Sequence, residues 1–191
     1  MKYSENKIKS IFKENSFIRS VSILVSGTLG SQIILIASLP ILTRIYAPED
    51  FAGLASFASV LVIIASAACM RYEVAIPLAK CEEDADDLLI LSILIAFVVS
   101  VTTLLALVCI EIGWIVFGYD SGQLDFFWLL PIGVFMSAMY SALQFWYARN
   151  NKFSSISKTK IGQSIIGVSV QVLSGSLGFG ALGLVIGQII N

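Results

Sequence analysis

In a chain of 191 residues that is 57% hydrophobic and 13% charged, the residues able to do chemistry are few and stand out. Arg71 and Glu73 sit in "MRYEVAIPLAK" between two apolar runs, Glu111 closes a third, and Gln32, Gln163 and Gln171 lie inside others. A guanidinium binds phosphate in two-point fashion. Ionisable groups within apolar segments mark ligand or ion routes unless they snorkel to an interface, and carboxamides either join helices or line an aqueous path. Nucleophilic and metal chemistry have no such support. Histidine, the commonest metal ligand and general base, is absent, and Cys69, Cys81 and Cys109 form no C-x-x-C pair.

The elements that must position these groups are membrane spans. Charged residues make up about 25% of an ordinary soluble domain, against 13% here, and the mean hydropathy is +0.89. The sequence predicts an all-α, polytopic transmembrane bundle. A cytoplasmic segment 1–16 precedes a transmembrane lobe 17–191, with spans at about 17–42, 51–76, 88–110, 126–147 and 161–177 and a sixth begun at 181–191. About 20 apolar residues cross a hydrocarbon core of ~30 Å; the sixth run has eleven, so the chain reads as part of a larger protein. The first run is too long for a cleavable signal and lacks an A-x-A site, so it is read as a retained span.

Orientation follows the bases. With the N-terminus cytoplasmic, Lys2, Lys7, Lys9, Lys13, Arg19, Arg71, Lys80, Arg149, Lys152, Lys158 and Lys160 fall inside and only Arg44 outside. The acids Glu82, Glu83, Asp84, Asp86 and Asp87 do not reverse this, because orientation follows Lys/Arg bias rather than net charge. They read as helix-start residues that complement the positive end of the third helix. Pro48, Glu49 and Asp50 suit the first turn of the second helix in the same way.

Small residues suggest the contact faces. Ser22, Ser26 and Gly30 recur at steps of four in the first span, with Gly27 and Ser31 alongside; Gln163, Gly167, Gln171 and Gly175 do so in the fifth. The fifth-span stripe predicts either helix packing or an aqueous lining. Pro40 predicts a bend near the outer end of the first span, and Pro77 predicts that the second helix stops before it, leaving Arg71 and Glu73 in its last turns. Trp128 and Trp146 bracket the fourth span as an aromatic belt. The basic stretch "ARNNKFSSISKTK" reads as an inner loop facing anionic lipid or an anionic ligand.

In order and spacing, "LPILTRIYAPEDFAGLASFASV", "MRYEVAIPLAK" and "WYARNNKFSSISKTKIGQS" leading to "GFGALGLVIGQII" resemble the polysaccharide-biosynthesis membrane proteins. These are the O-antigen and capsule flippases of the multidrug/oligosaccharidyl-lipid/polysaccharide exporter superfamily. The resemblance runs from about Arg19 to the end of the chain. It implies a fold of two pseudo-symmetric lobes, of which this chain supplies the first. It also implies a transporter rather than an enzyme, flipping an undecaprenyl-diphosphate-linked oligosaccharide for O-antigen, lipopolysaccharide, capsule or exopolysaccharide across the bacterial inner membrane by alternating access. No cofactor is expected, with a proton or sodium gradient as the candidate coupling source.

Under this resemblance the partners are the polyprenyl-diphosphate-linked glycan, membrane lipid, the C-terminal lobe, and as candidates a polymerase and a chain-length regulator; nucleic acid is not among them. The candidate substrate-binding residues are Arg19, Arg71 and Glu73 on the inner side, Gln32, Gln163 and Gln171 within spans, and Arg44 and Glu111 towards the outside. Three other readings stay open: a drug exporter of the same superfamily, which would use buried acids; a membrane glycan polymerase or acyltransferase, for which the outer segments are short; and a structural membrane subunit.

Overall fold

The structure, a computed structural model, describes residues 2–68, 72–79, 81–117 and 125–191, with side chains described in 18–68, 72–79, 81–113 and 126–191. Six α-helices follow in order: α1 (Lys2–Ile45), α2 (Pro48–Ala68), α3 (Glu82–Phe117), α4 (Leu130–Arg149), α5 (Phe153–Ser176) and α6 (Ala181–Ile190). Short 3-10 segments, Tyr72–Leu78 and Asp125–Leu129, precede α3 and α4. No strand occurs among the described residues.

Each long helix buries a narrow stripe. In α1 it is Gly27, Ser31, Ser38 and Leu42, in α2 Phe57, Leu61 and Ala68, and in α3 Ala85, Ser92 and Ala96. These spacings of four and seven keep one line of side chains on one helical face. The other faces are apolar and open: Ile33, Ile36, Ile63 and Leu105 are all more than half exposed. Apolar surface on that scale has no favourable solvent except lipid or a partner. Four segments, Ile18–Ile45, Pro48–Ala68, Glu82–Gly113 and Phe126–Arg149, are long and apolar enough to cross a membrane.

The helices pair in the order α1, α5, α6, α2, α4, α3. Gly27 and Gly30 of α1 meet Ser157 and Ile161 of α5, while Tyr46 beyond the end of α1 meets Gly175, so α1 and α5 run parallel. Trp146 bonds Asp86, and Ser100 donates to the Pro131 carbonyl at 2.8 Å, which makes α3 and α4 antiparallel. Phe57, Leu61, Leu130, Val134, Ala138, Ala96 and Val185 form the larger core, and Leu42, Tyr46 and Leu184 the smaller. α6 contributes adjacent residues, Leu184 and Val185, to the two cores and so acts as the wedge between them.

Local chemistry sets the helix ends. Pro48 opens α2, and Asp50 accepts from the Ala47 amide at 3.0 Å while its own amide bonds the Ala47 carbonyl, a reciprocal cap. α4 and α5 both end with a left-handed residue, Asn151 (φ 55°) and Gly178 (φ 81°). The amides of Lys152 and Phe179 reach back five residues to the carbonyls of Tyr147 and Ser174. That pairing satisfies carbonyls the helix leaves open and reverses the chain within three or four residues.

Several sequence expectations need correction. Glu73 and Pro77 belong to a 3-10 segment, Tyr72–Leu78, rather than to α-helical last turns of the second helix, which is described to Ala68. α3 begins at Glu82 and continues to Phe117, so the acids form its first turns and Glu111 lies inside it. The basic stretch is not a loop: only Asn150–Lys152 form the turn, and Lys158 and Lys160 lie on α5. The packed face of α1 runs through Gly27, Ser31 and Ser38, whereas Ser22 and Ser26 are exposed. α5 is 24 residues long, yet it is not among the segments apolar enough to cross a membrane.

Candidate functional site

The antiparallel arrangement creates two ends, called here after Arg149 and Tyr46. At the Arg149 end stand Arg19, Lys152, Lys158 and Lys160 together with the exposed acids that open α3; Arg44 is at the Tyr46 end. Of the sequence-derived candidates, Arg19, Gln32 and Arg44 are exposed along α1. Glu111 is half-buried on α3 and Gln163 half-buried on α5. Arg71 lies outside the described residues. The structure therefore divides the described candidates between two ends and several helices and does not gather them into one cluster.

Gln171 has a defined task. It is buried, and its Nε2 donates to the Leu184 carbonyl at 3.2 Å across the α5–α6 seam. Gly187 lies against the same side chain, and a Cβ built on Gly167 would come within 3.0 Å of the Gly187 carbonyl. Of the two readings offered by the fifth-helix stripe, helix packing is the one Gly167, Gln171 and Gly175 realise.

Glu73 differs from the rest. Packed with its segment against α3 and α4, it is half-buried, and its Oε2 is enclosed without a hydrogen-bond partner among the described residues. Tyr140 Oη on α4 is the other enclosed polar atom without a partner among the described residues. Buried polar atoms are nearly always paired, because an unpaired one forfeits water without replacement at a cost of about 1–3 kcal/mol. Such atoms are the natural points at which a ligand hydroxyl, a proton or a cation adds a bond.

The residues that shape this end were read from sequence as interfacial aromatics, inner bases and helix-start acids, not as site residues. Arg149 Nη1 donates to the carbonyls of Ile76 at 2.9 Å and Ala79 at 2.6 Å, and Nη2 to that of Cys81 at 2.8 Å. Trp146 Nε1 donates to Asp86 Oδ1 at 3.0 Å. Lys152 folds back over the rings of Trp146 and Tyr147, with Nζ 5.8 and 5.9 Å from their centroids. The sequence signals were present, since Trp146, Tyr147 and Arg149 end one apolar helix, but charge bias and interfacial anchoring explain them equally well. Only the pairing of α3 with α4 brings a helix C-terminus against Ile76, Ala79 and Cys81.

An all-helical chain with narrow packed stripes, open apolar faces and four membrane-capable helices is, in class, a membrane bundle. Residues 41–191, most of the chain, match the family model described as polysaccharide biosynthesis protein, and the chain belongs to that family. No curated protein and no solved structure matches it.

Proposed function

We propose that this chain is the first lobe of a transporter that flips an undecaprenyl-diphosphate-linked oligosaccharide from the cytoplasmic to the outer leaflet of the bacterial inner membrane. The observation that carries the proposal is the family match on a bundle four of whose helices are long and apolar enough to span. Polysaccharide building blocks made on a lipid carrier must cross hydrocarbon, and a charged or hydroxyl-rich head group crosses only along a route lined by polar partners. In this reading α5 and α6 complete the set of spans, with the N-terminus and the Arg149 end cytoplasmic, in keeping with the basic bias. The two lobes rock about a binding site between them, as in other repeat-built transporters, driven by a proton or sodium gradient.

The chain acts as a carrier and not as an enzyme in this proposal. Arg71 and Arg19 attract the diphosphate at the inner mouth, and Glu73, Gln32 and Gln163 meet sugar hydroxyls along the route. Arg44 and Glu111 serve the outer mouth. One observation also favours a cation exporter: the unpaired Oε2 of Glu73 is the kind of group a positively charged drug seeks.

Reconstitution of the full-length protein in vesicles with a fluorescent polyprenyl-diphosphate sugar separates the two. Protein-dependent movement of the lipid between leaflets is expected. Transport of a cationic dye with no lipid movement would replace the flippase reading by the exporter one.

A further inference from the structure

Arg149 is placed where a phosphate-binding arginine could stand, yet its donors are otherwise occupied. A guanidinium has five N–H donors, and three are used on the carbonyls of Ile76, Ala79 and Cys81 at 2.6–2.9 Å. The exposed acids Glu82, Glu83, Asp84 and Asp86 follow closely after Cys81, so negative charge already stands near the guanidinium. Asp86 is itself bonded to Trp146, three residues before Arg149. What the guanidinium grips is backbone: Ile76 in the downstream half of the segment that carries Glu73, and Ala79 and Cys81 just past its end.

That grip explains how Glu73 keeps its position. A carboxylate oxygen enclosed without a partner favours any movement that returns it to water. Pro77 limits the segment's own hydrogen bonding because it lacks an amide hydrogen. The three bonds from Arg149 on α4 supply the opposing restraint, and charge-assisted donors are the strong ones.

We propose that Arg149 is a positioning residue that clamps the downstream end of the Tyr72–Leu78 segment so that Glu73, with its Oε2 enclosed and unpartnered, is held against the α3–α4 face where substrate contacts it. The second half of the statement rests on the flippase reading; the clamp does not. The test is therefore made in two arms on the full-length protein, with Cys69, Cys81 and Cys109 replaced by Ser.

In the first arm, Glu73→Cys reports the position of the segment through its rate of reaction with a maleimide in membranes. Opening the clamp with Arg149→Ala should accelerate labelling by about threefold or more, because a locally released segment exposes what it had enclosed. Arg149→Lys, which keeps charge but not the planar fork, should fall between. Unchanged labelling in Arg149→Ala at matched membrane abundance overturns the clamp.

In the second arm, lipid flipping is compared in a double-mutant cycle with Arg149→Ala and Glu73→Gln. Residues acting through one another are non-additive, so Arg149→Ala should lower the rate about tenfold beside Glu73 and less than about twofold beside the glutamine. Equal losses in both backgrounds show that Arg149 serves only the fold, and overturn the positioning role. Faster labelling in the first arm together with no flipping by the unaltered protein refutes the flippase reading while the clamp stands.

Discussion

Tyr46, the residue after α1, donates its hydroxyl to the Gln171 carbonyl of α5 at 2.6 Å, with Ser174 Oγ 3.2 Å away. Its ring lies between two glycines. A Cβ at Gly175 would come within 2.7 Å of the Tyr46 ring, and one at Gly183 within 2.6 Å of its hydroxyl. The tyrosine is buried, so α1, α5 and α6 are joined at this end by one side chain that needs both glycines to fit.

Tyr46→Phe keeps the ring and removes the bond, and should cost about 1 kcal/mol. Gly183→Ala leaves the bond's partners in place but crowds them, and should cost about 1–3 kcal/mol. Thermal denaturation of the detergent-purified protein should rank wild type above Tyr46→Phe, and that above Gly183→Ala. A tyrosine-to-phenylalanine change more damaging than the alanine would show that the hydroxyl, not the glycine slot, dominates.

The α1–α5 contact makes a second contrast. A Cβ at Gly27 would come within 2.8 Å of the Ser157 backbone, and Ser157 Oγ already donates to the Ile23 carbonyl at 2.7 Å. Backbone cannot retreat as a side chain can. Gly27→Ala should therefore destabilise by about 1–3 kcal/mol, while Gly162→Ala on α5, with open space around it, should be neutral or gain up to about 1 kcal/mol of helix propensity. Equal melting temperatures for the two variants would refute this account of the interface.

Topology is tested with single cysteines and an impermeant reagent in intact cells. The proposed orientation puts Ser155, just inside α5, in the cytoplasm and Ser121 outside. A cysteine at 121 should be modified and one at 155 protected until the cells are opened. The reverse pattern would invert the bundle.

The roles of Arg71 and of the acids that open α3 are separated by complementation of a flippase-null strain with the full-length protein at matched abundance. Asp86→Asn with Asp87→Asn should retain most export, because helix-end charge is worth only about 0.3–1 kcal/mol and asparagine keeps an acceptor for Trp146. Arg71→Lys should lose part of the export through loss of the bidentate fork, and Arg71→Ala nearly all of it. Wild-type export by Arg71→Ala would reduce that residue to an interfacial anchor.

By itself the sequence determined the all-helical membrane class, the order of the apolar segments, the first-turn place of Pro48 and the helix-start role of the acids before the third span, and the family. These depend on local composition and on periodicity along one chain, which neighbouring helices do not alter. The face by which α1 packs, the 3-10 form of Tyr72–Leu78 and the commitment of Gln171 to Leu184 were decided by tertiary structure. So was the use of Arg149: a basic residue at a helix end looks the same in sequence whether it faces lipid phosphate, substrate or backbone. Its three acceptors lie about seventy residues away, and only the antiparallel docking of α4 on α3 brings those carbonyls within reach of one guanidinium.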